Sequence, residues 1–450
     1  MSLRTICKIV ITQQPTTAYP LRDKVYTIDF VNSVEIKSSW KNLTTTAKII
    51  FPRSVYIKTD TGNTSWVSQS VYTPQNSNNQ TPILLRGDRI SISLGYYYNP
   101  NGTYVTQINE EFNGFITKIN PKLPMELECE DNMWLLKQAQ CPNKVFPKSQ
   151  YNTQTIIQYL LQNPVLPVDT TNPSYIYLTK VIAPTIKKFN VYNGEGQSSS
   201  IETNVGDFRT QNETIAGVLM RLRKDYKLEC FFRPTLTNGT PTIWDNLYCS
   251  GVVYYSNDYL NTDGSFKTLA YGFQENITDN GENLIYLRKE DVRLGIKAYS
   301  VGKYKQSSTN NNGGTTTKNE RLEVLVGDGD GDIRTQYFWA DNKTPILDKN
   351  TLTSLATQRL NKMKFEGWRG YFTSFGLPYV QHGQAISLND VVHTGINLQK
   401  DQPITMERQG IYLVKGIEVA FGMNGFRRKI ELHLRLDGQN YNVSDFQNGL

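Results

Sequence analysis

The sequence predicts a β-rich α+β protein in which two similar β-domains flank a mixed α/β domain. Three observations carry that expectation. The 450 residues include 27 Tyr and 18 Phe among many Thr, Val and Ile, the residue types that suit a pleated, half-buried surface. Short segments alternate apolar and polar side chains between polar loops, the period-two pattern of strands with one buried face. Two distant stretches also carry the same parts in the same order. Gly87 opens an alternating run over 88–94, followed by 112–119 and 125–129; Gly383 opens 384–388, followed by 410–417 and 430–434. Gly87 to Gly114 and Gly383 to Gly410 both span 27 positions, which reads as an internal duplication. Two unrelated hairpins of common composition are the alternative.

Residues 1–130 make the first β-domain. Its opening run around Ile6 to Val10 is short and broken, so it reads as a strand rather than a leader, and 74–80 is a polar loop. Its last strand sets Met125, Leu127 and Cys129 on one face and Glu126, Glu128 and Glu130 on the other. Residues 131–285 form the middle domain. Asp131 is placed to cap a short helix carrying Trp134, Leu135 and Gln138, and Thr153 one carrying Ile156, Ile157, Leu160 and Leu161. Prolines 164, 167 and 173 punctuate the loop that follows. After Asn212, helical spacing returns in Ile215, Val218, Leu219, Leu222 and Tyr226, with Arg221, Arg223 and Lys224 on the polar side, before a strand at 228–232.

Residues 286–437 form the second β-domain, interrupted by a flexible Ser/Thr/Asn/Gly loop at 306–319 and carrying a helix over 352–365. It closes with a hairpin, 411–421 against 426–436, whose turn contains Asn424-Gly425. In the last strand Ile430, Leu432, Leu434 and Leu436 face one way while Lys429, Glu431, His433 and Arg435 face the other. That division suits a barrel wall lining an aqueous channel, and it equally suits an ordinary solvent-facing sheet. Residues 438–450 are a polar tail.

Composition excludes several function classes. With 38% hydrophobic and 20% charged residues the chain buries real cores. Its net charge of +7 is spread over scattered Lys and Arg, without the block expected of a nucleic-acid arm. Cys7, Cys129, Cys141, Cys230 and Cys249 are odd in number, widely spaced and without a CxxC pair, so neither a disulfide framework nor a zinc site is implied. No run approaches membrane-spanning length. Sequons such as Asn42-Leu43-Thr44 are discounted for want of a secretory signal. His382, His393 and His433 form no metal-ligating motif, and neither a P-loop, a GxSxG elbow nor a complete GxGxxG is present, so no cofactor is expected. Asp328, Asp330 and Asp332 alternate with glycines and are a weak candidate for a hard cation. Ile333 and Trp339 stand where an EF-hand needs Gly and Glu, which favours a tight turn. Arg86-Gly87-Asp88 likewise reads as turn chemistry rather than an adhesion motif.

The run Phe112-Asn113-Gly114-Phe115-Ile116, with residues 127–137 following, resembles tailed-phage baseplate hub proteins, the relatives of late control D and of the N-terminal part of VgrG. Residues 213–222 with 226–228, and the series Gly367, Gly370, Gly376-Leu377-Pro378, Gly383, Gly410-Ile411-Tyr412 and Gly425-Phe426-Arg427-Arg428, resemble the same family. The resemblance spans most of the chain, and no motif in it is catalytic. It implies two tube-like β-barrel domains per chain and a homotrimer whose pseudo-sixfold face meets the sixfold tail tube while its threefold face meets a spike. It implies a non-enzymatic structural protein at the tail tip of the virion. Its partners would be the tail tube protein, the spike or tip protein, baseplate or wedge proteins and the tape measure protein, with DNA passing transiently through the lumen. Glu126, Glu128, Glu130, Lys429, Glu431, His433 and Arg435 are expected on wet barrel faces, some lining the channel. A tail-associated carbohydrate or receptor binder and a peptidoglycan hydrolase are the rival readings.

Overall fold

The computed structural model describes residues 3–437 apart from 69–81, 193–206, 251–266, 307–315, 339–345, 398–401 and some shorter stretches and single positions. The loop expected at 74–80 and the tail at 438–450 lie outside the described residues. The early β region comprises β1 (Leu3–Thr12), β2 (Val25–Ile28), β3 (Ser33–Ser39), β4 (Thr46–Phe51), β5 (Ser54–Thr59), β6 (Thr64–Ser68), β7 (Arg89–Tyr98), β8 (Val105–Asn120) and β9 (Met125–Glu130). The middle region carries α1 (Met133–Gln138), β10 (Lys144–Phe146), α2 (Thr153–Gln162), α3 (Ala183–Ile186), β11 (Asn190–Tyr192), β12 (Phe208–Thr210) and α4 (Ile215–Tyr226). It continues through β13 (Glu229–Phe232), β14 (Thr235–Thr237), β15 (Thr240–Ile243) and β16 (Asn246–Ser250). The late region holds β17 (Thr268–Tyr271), β18 (Leu284–Leu287), β19 (Leu294–Gln306), β20 (Thr316–Gly327), β21 (Asp332–Tyr337) and α5 (Lys349–Met363). It ends with β22 (Gly367–Phe375), β23 (Ala385–Asn397), β24 (Gln402–Gly422) and β25 (Gly425–Arg435).

Large antiparallel sheets dominate, with few helices. Fifteen strands make one sheet, β18-β22-β25-β24-β3-β4-β9-β8-β7-β1-β2-β5-β6, to which β23 attaches through β24 and β17 through β23. The early and late regions meet where β3 pairs antiparallel with the C-terminal half of β24, from Ser33 opposite Gly422 to Ser39 opposite Gly416. Their apolar faces share one core, which holds Ile9, Ile36 and Leu127 together with Phe372, Leu413 and Ile430. Each such fully buried side chain contributes roughly 1.5–3 kcal/mol by leaving water. Among the described residues no ladder closes the sheet on itself; it runs open from β18 to β6.

The duplication is present as a repeated strand order. β3-β4-β9-β8-β7 and β18-β22-β25-β24-β23 match one for one, every pair antiparallel. Gly87 N–H donates to Ile116 O and Ile116 N–H to Asp88 O, at 2.7 and 2.9 Å; Gly383 N–H donates to Val414 O and Val414 N–H to Gln384 O at the same distances. The ladder skips a residue at the same place in each unit, between Ile116 and Lys118 and between Val414 and Gly416. Gly114 lies opposite Ile90, whereas Gly410 lies opposite Leu388, so the equivalent of Gly114 is Tyr412. The equal glycine spacing in the sequence is therefore a coincidence, because the second hairpin is two residues longer.

Local signals need small corrections. Asp131 precedes the cap, Asn132, of α1; its carboxylate accepts from Met133 N–H at 3.0 Å and so still holds the first turn. Asn152 rather than Thr153 caps α2, in a reciprocal box with Thr155. Asp348 caps α5, which begins three residues earlier than the apolar stripe suggested. Of the loop expected over 306–319, Gln306 pairs with Thr316 and 316–319 belong to β20, while 307–315 lie outside the described residues. β19, β20 and β21 form a separate three-stranded sheet, packed on α5 through Ile296, Val324, Leu352 and Leu360. The middle region has a core of its own, where α1, α2 and α4 meet β13 and β16.

Candidate interaction face

Directly opposed residues of antiparallel strands point to the same side of a sheet. Two rows of side chains can therefore be followed across the sheet from the late unit into the early one. The first runs Thr373, Lys429, Glu418, Lys37, Thr46, Glu130. The second runs Phe375, Arg427, Ala420, Glu35, Lys48, Glu128, Lys118. Their neighbours along each strand, among them Ile36, Ala47, Leu127, Val419 and Ile430, are buried on the opposite side. One continuous polar face thus spans both units, and the signs of its charges alternate from strand to strand.

The two residue sets singled out in the sequence occupy equivalent places on this face. Leu127 opposes Ile119 as Ile430 opposes Ile417, so Glu126, Glu128 and Glu130 correspond to Lys429, Glu431 and His433. Glu126 pairs with Lys48 at 3.0 Å, Glu128 with Lys118 at 2.8 Å and Glu130 with Lys137 at 2.5 Å. Lys429 reaches Glu418 at 3.3 Å, Glu431 reaches Lys415 at 2.5 Å and Arg435 reaches Asp437 at 2.8 Å. All of these side chains are partly exposed, Glu128 by 43% and Lys429 by 35%, so water screens the pairs and each contributes little to stability. His433 packs edge-on against Trp40 at 4.9 Å, and burial, aided by Lys41, Arg369 and Lys415, pushes its pKa down to about 3. It shares the face but stays neutral. A groove of about 360 Å³ crosses the seam beside Lys37, Ser39, Tyr371, Lys415, Lys429 and Glu431.

Behind the face, buried polar contacts lock the units together. Arg428 extends from β25 to Glu111 of β8 at 2.7 Å and donates to the carbonyls of Gly376 and Val380; both side chains of the pair are 1% exposed. Burial raises the Glu111 carboxyl and Arg428 opposes that rise. The Tyr96 hydroxyl donates to Phe426 O and accepts from Gly376 N–H. Sequence reading missed these residues, although one signal was there: Arg428 falls in the apolar phase of a strongly alternating strand, where a charge needs a partner. Glu111 gave no such signal. It is the extra residue of a bulge, since Ile92 opposes Phe112 and Ser93 opposes Glu110, and the bulge turns it inward.

Asp328 pairs with Lys364 at 3.0 Å and Asp332 with Arg334 at 3.6 Å, while Gly331 N–H donates to Asp328 O to close the turn between β20 and β21. Among the described residues no three His, Cys, Asp or Glu side chains converge as metal ligands, and no helix is long and apolar enough to cross a membrane. Gly87 has φ +97° inside the 85–88 turn, which accounts for the Arg86-Gly87-Asp88 sequence by backbone geometry.

No protein-family model and no curated protein matches the chain. Solved structures similar to it include phage tail proteins and a component of the type VI secretion system. The tail protein from Neisseria meningitidis MC58 aligns at 12% identity and a TM-score of 0.48 over 99% of both chains. The 43 kDa tail protein of prophage MuSo2 from Shewanella oneidensis aligns at 10% identity and 0.47, over 96% of this chain and 98% of the other. A chain of the Francisella PdpA–VgrG complex aligns at 9% identity and 0.46, over 98% of this chain and 55% of the other.

Proposed function

We propose that the chain is a non-enzymatic structural subunit of a hub at the distal end of a phage tail tube, three copies forming a pseudo-sixfold ring that adapts the tube to a threefold spike. The observation that carries this reading is an inequality between two equivalent edges. In the early unit the outer strand β3 is covered on both sides, by β4 and by the late unit's β24. Its counterpart β18 has a single ladder partner among the described residues, β22. β24 pairs with β3 just beyond its ladder with β23, and the matching part of β8, 118–120, is paired among the described residues only with β9.

Repeating the internal seam between copies sets β18 of one chain against β8 of the next. Ile36 opposes Ala47 as Leu284 opposes Gly370, so the seam pairs Glu418–Lys37 and Gly416–Ser39 translate to Asn120–Ile285 and Lys118–Leu287. Ile285 is 63% exposed on that edge. A head-to-tail contact of this kind closes into a ring when its rotation divides the circle, and covers an edge that otherwise invites aggregation. Six units from three copies give the symmetry match that the sequence resemblance implies.

The polar face then forms a wall of the lumen, with Glu126, Glu128, Glu130, Lys429 and Glu431 facing the passage. Alternating charges suit a conduit, because they leave no uniformly basic stretch to hold passing DNA. The tube, spike or tip, wedge and tape measure proteins are the proposed neighbours at the virion tail tip.

The test is the mass in solution by light scattering, with electron microscopy of rings. Ile285→Pro, which disrupts strand addition on this edge, should abolish the trimer while the monomer keeps its circular dichroism spectrum. A wild-type chain that neither trimerises nor decorates tail tubes would overturn the proposal, as would an Ile285→Pro trimer as stable as the wild type.

A further inference from the structure

We propose that Cys230 and Cys249 are a site of oxidative cross-linking, forming a disulfide between β13 and β16. The two residues lie directly opposite each other in that antiparallel pair, with Sγ atoms 2.9 Å apart. That separation lies between ordinary non-bonded contact and the roughly 2.05 Å of a covalent S–S bond. Register supports it. Arg233 N–H donates to Asn246 O, which makes 233 and 246 a hydrogen-bonded pair; counting back along the ladder, 230 and 249 fall at a non-hydrogen-bonded pair. There the Cα atoms approach to about 4.5 Å, within the span a disulfide bridges.

Cys7, Cys129 and Cys141 are buried like this pair. The bridge would sit on the face of β13 and β16 that meets the middle core, beside Leu219, whose carbonyl lies 3.8 Å from Cys230 Sγ. On the other face Phe231 and Tyr248 stack at 5.5 Å and belong to the large core. Arg233, the next residue but two along the chain, donates to the His382 carbonyl at 2.7 Å. Pinning β13 to β16 therefore fixes the strand that joins the middle region to the late unit, and closes the loop holding the β14–β15 hairpin.

The oxidant is a small peroxide. A Cys thiolate attacks one peroxide oxygen, giving a sulfenic acid and hydroxide; the second thiol displaces water from that sulfur, forming the S–S bond. In sum two thiols and one hydrogen peroxide give one disulfide and two waters. Burial holds the Cys230 thiol well above its usual pKa, so the reaction is slow in the intact fold and quickens with pH.

The full chain is treated with hydrogen peroxide, denatured with a maleimide present, and mapped by mass spectrometry without reductant. Peptides containing Cys230 and Cys249 should be joined, with the other three cysteines alkylated. The oxidised protein should melt a few degrees higher, a gain that reductant reverses and that Cys249→Ala lacks. Alkylation of all five thiols, or sulfinic acid at Cys230 without a joined peptide, would overturn the proposal. So would a cross-link that forms only when peroxide is added in denaturant.

Discussion

The two copies of the repeated unit solve one turn in two ways. Leu85 to Asp88 and Gln381 to Gln384 have the same backbone: the fourth residue's N–H donates to the first residue's carbonyl at 3.2 and 3.3 Å, and the third is a positive-φ glycine. In both, the fourth side chain accepts from the first residue's N–H, Asp88 from Leu85 at 2.7 Å and Gln384 from Gln381 at 3.2 Å. The early unit does this with a charge and the late unit with an amide. A buried charge needs a partner. Asp88 has one in Arg22, bound through both carboxylate oxygens at 2.7 Å with almost no exposure on either side chain. Gln384 makes its turn without a buried ion pair. The same contrast recurs at the end of β9: Asp131 is buried where the late unit has Leu434. Geometry is thus what the duplication preserves, while the charge is specific to the early copy.

The largest effect should come from separating charge from geometry in the early turn. Arg22→Met leaves Asp88 buried without its partner and should cost about 3–5 kcal/mol in chemical denaturation. Adding Asp88→Gln to that variant installs the late unit's solution and should recover most of the loss. A double variant as unstable as the single one would show that the pair does more than neutralise.

Next comes the pH dependence. Burial raises the Asp131 carboxyl to about 7 from 3.8, although Thr45 and Met133 N–H groups oppose the rise. The folded chain therefore holds a proton that the unfolded chain has released. That contribution to stability is complete below about pH 4 and is lost as pH rises through 7. Asp131→Asn should flatten the stability profile across this window by on the order of 2–4 kcal/mol relative to the parent. An unchanged slope would place the titration elsewhere, for instance at Asp88 or Glu111, which burial also raises.

Much of the fold was legible because its signals are local. The alternation in 125–130 and 430–436, the stripes of α2 and α4 and the Asn424-Gly425 turn all report on neighbours along the chain, and each element formed. Strand phase alone separates Glu126, Glu128, Lys429 and Glu431 from the buried residues between them. What stayed hidden depends on which edge meets which. Nothing in residues 33–39 specifies 416–422 as a partner, since both are ordinary alternating strands and the choice is made by the packing of whole sheets. A bulge defeats phase counting in a different way: it moves one residue across the sheet, as it does Glu111, without changing the surrounding pattern.

The smallest effect concerns the two turn glycines, which phase counting aligned correctly. Gly87 and Gly383 have φ of +97° and +77°, a region that costs a residue with a Cβ about 1 kcal/mol or more. The early glycine has a second constraint. A Cβ at Gly87 would lie 2.9 Å from the Tyr177 ring, whose hydroxyl donates to Gly87 O at 2.8 Å, so the middle region is clamped directly onto this turn. Gly87→Ala should therefore lose about 1–2 kcal/mol more than Gly383→Ala. With Tyr177→Leu in the background the steric term disappears, and the two substitutions should become equal. A gap that persists in that background would mean the early turn is strained by something other than the ring above it.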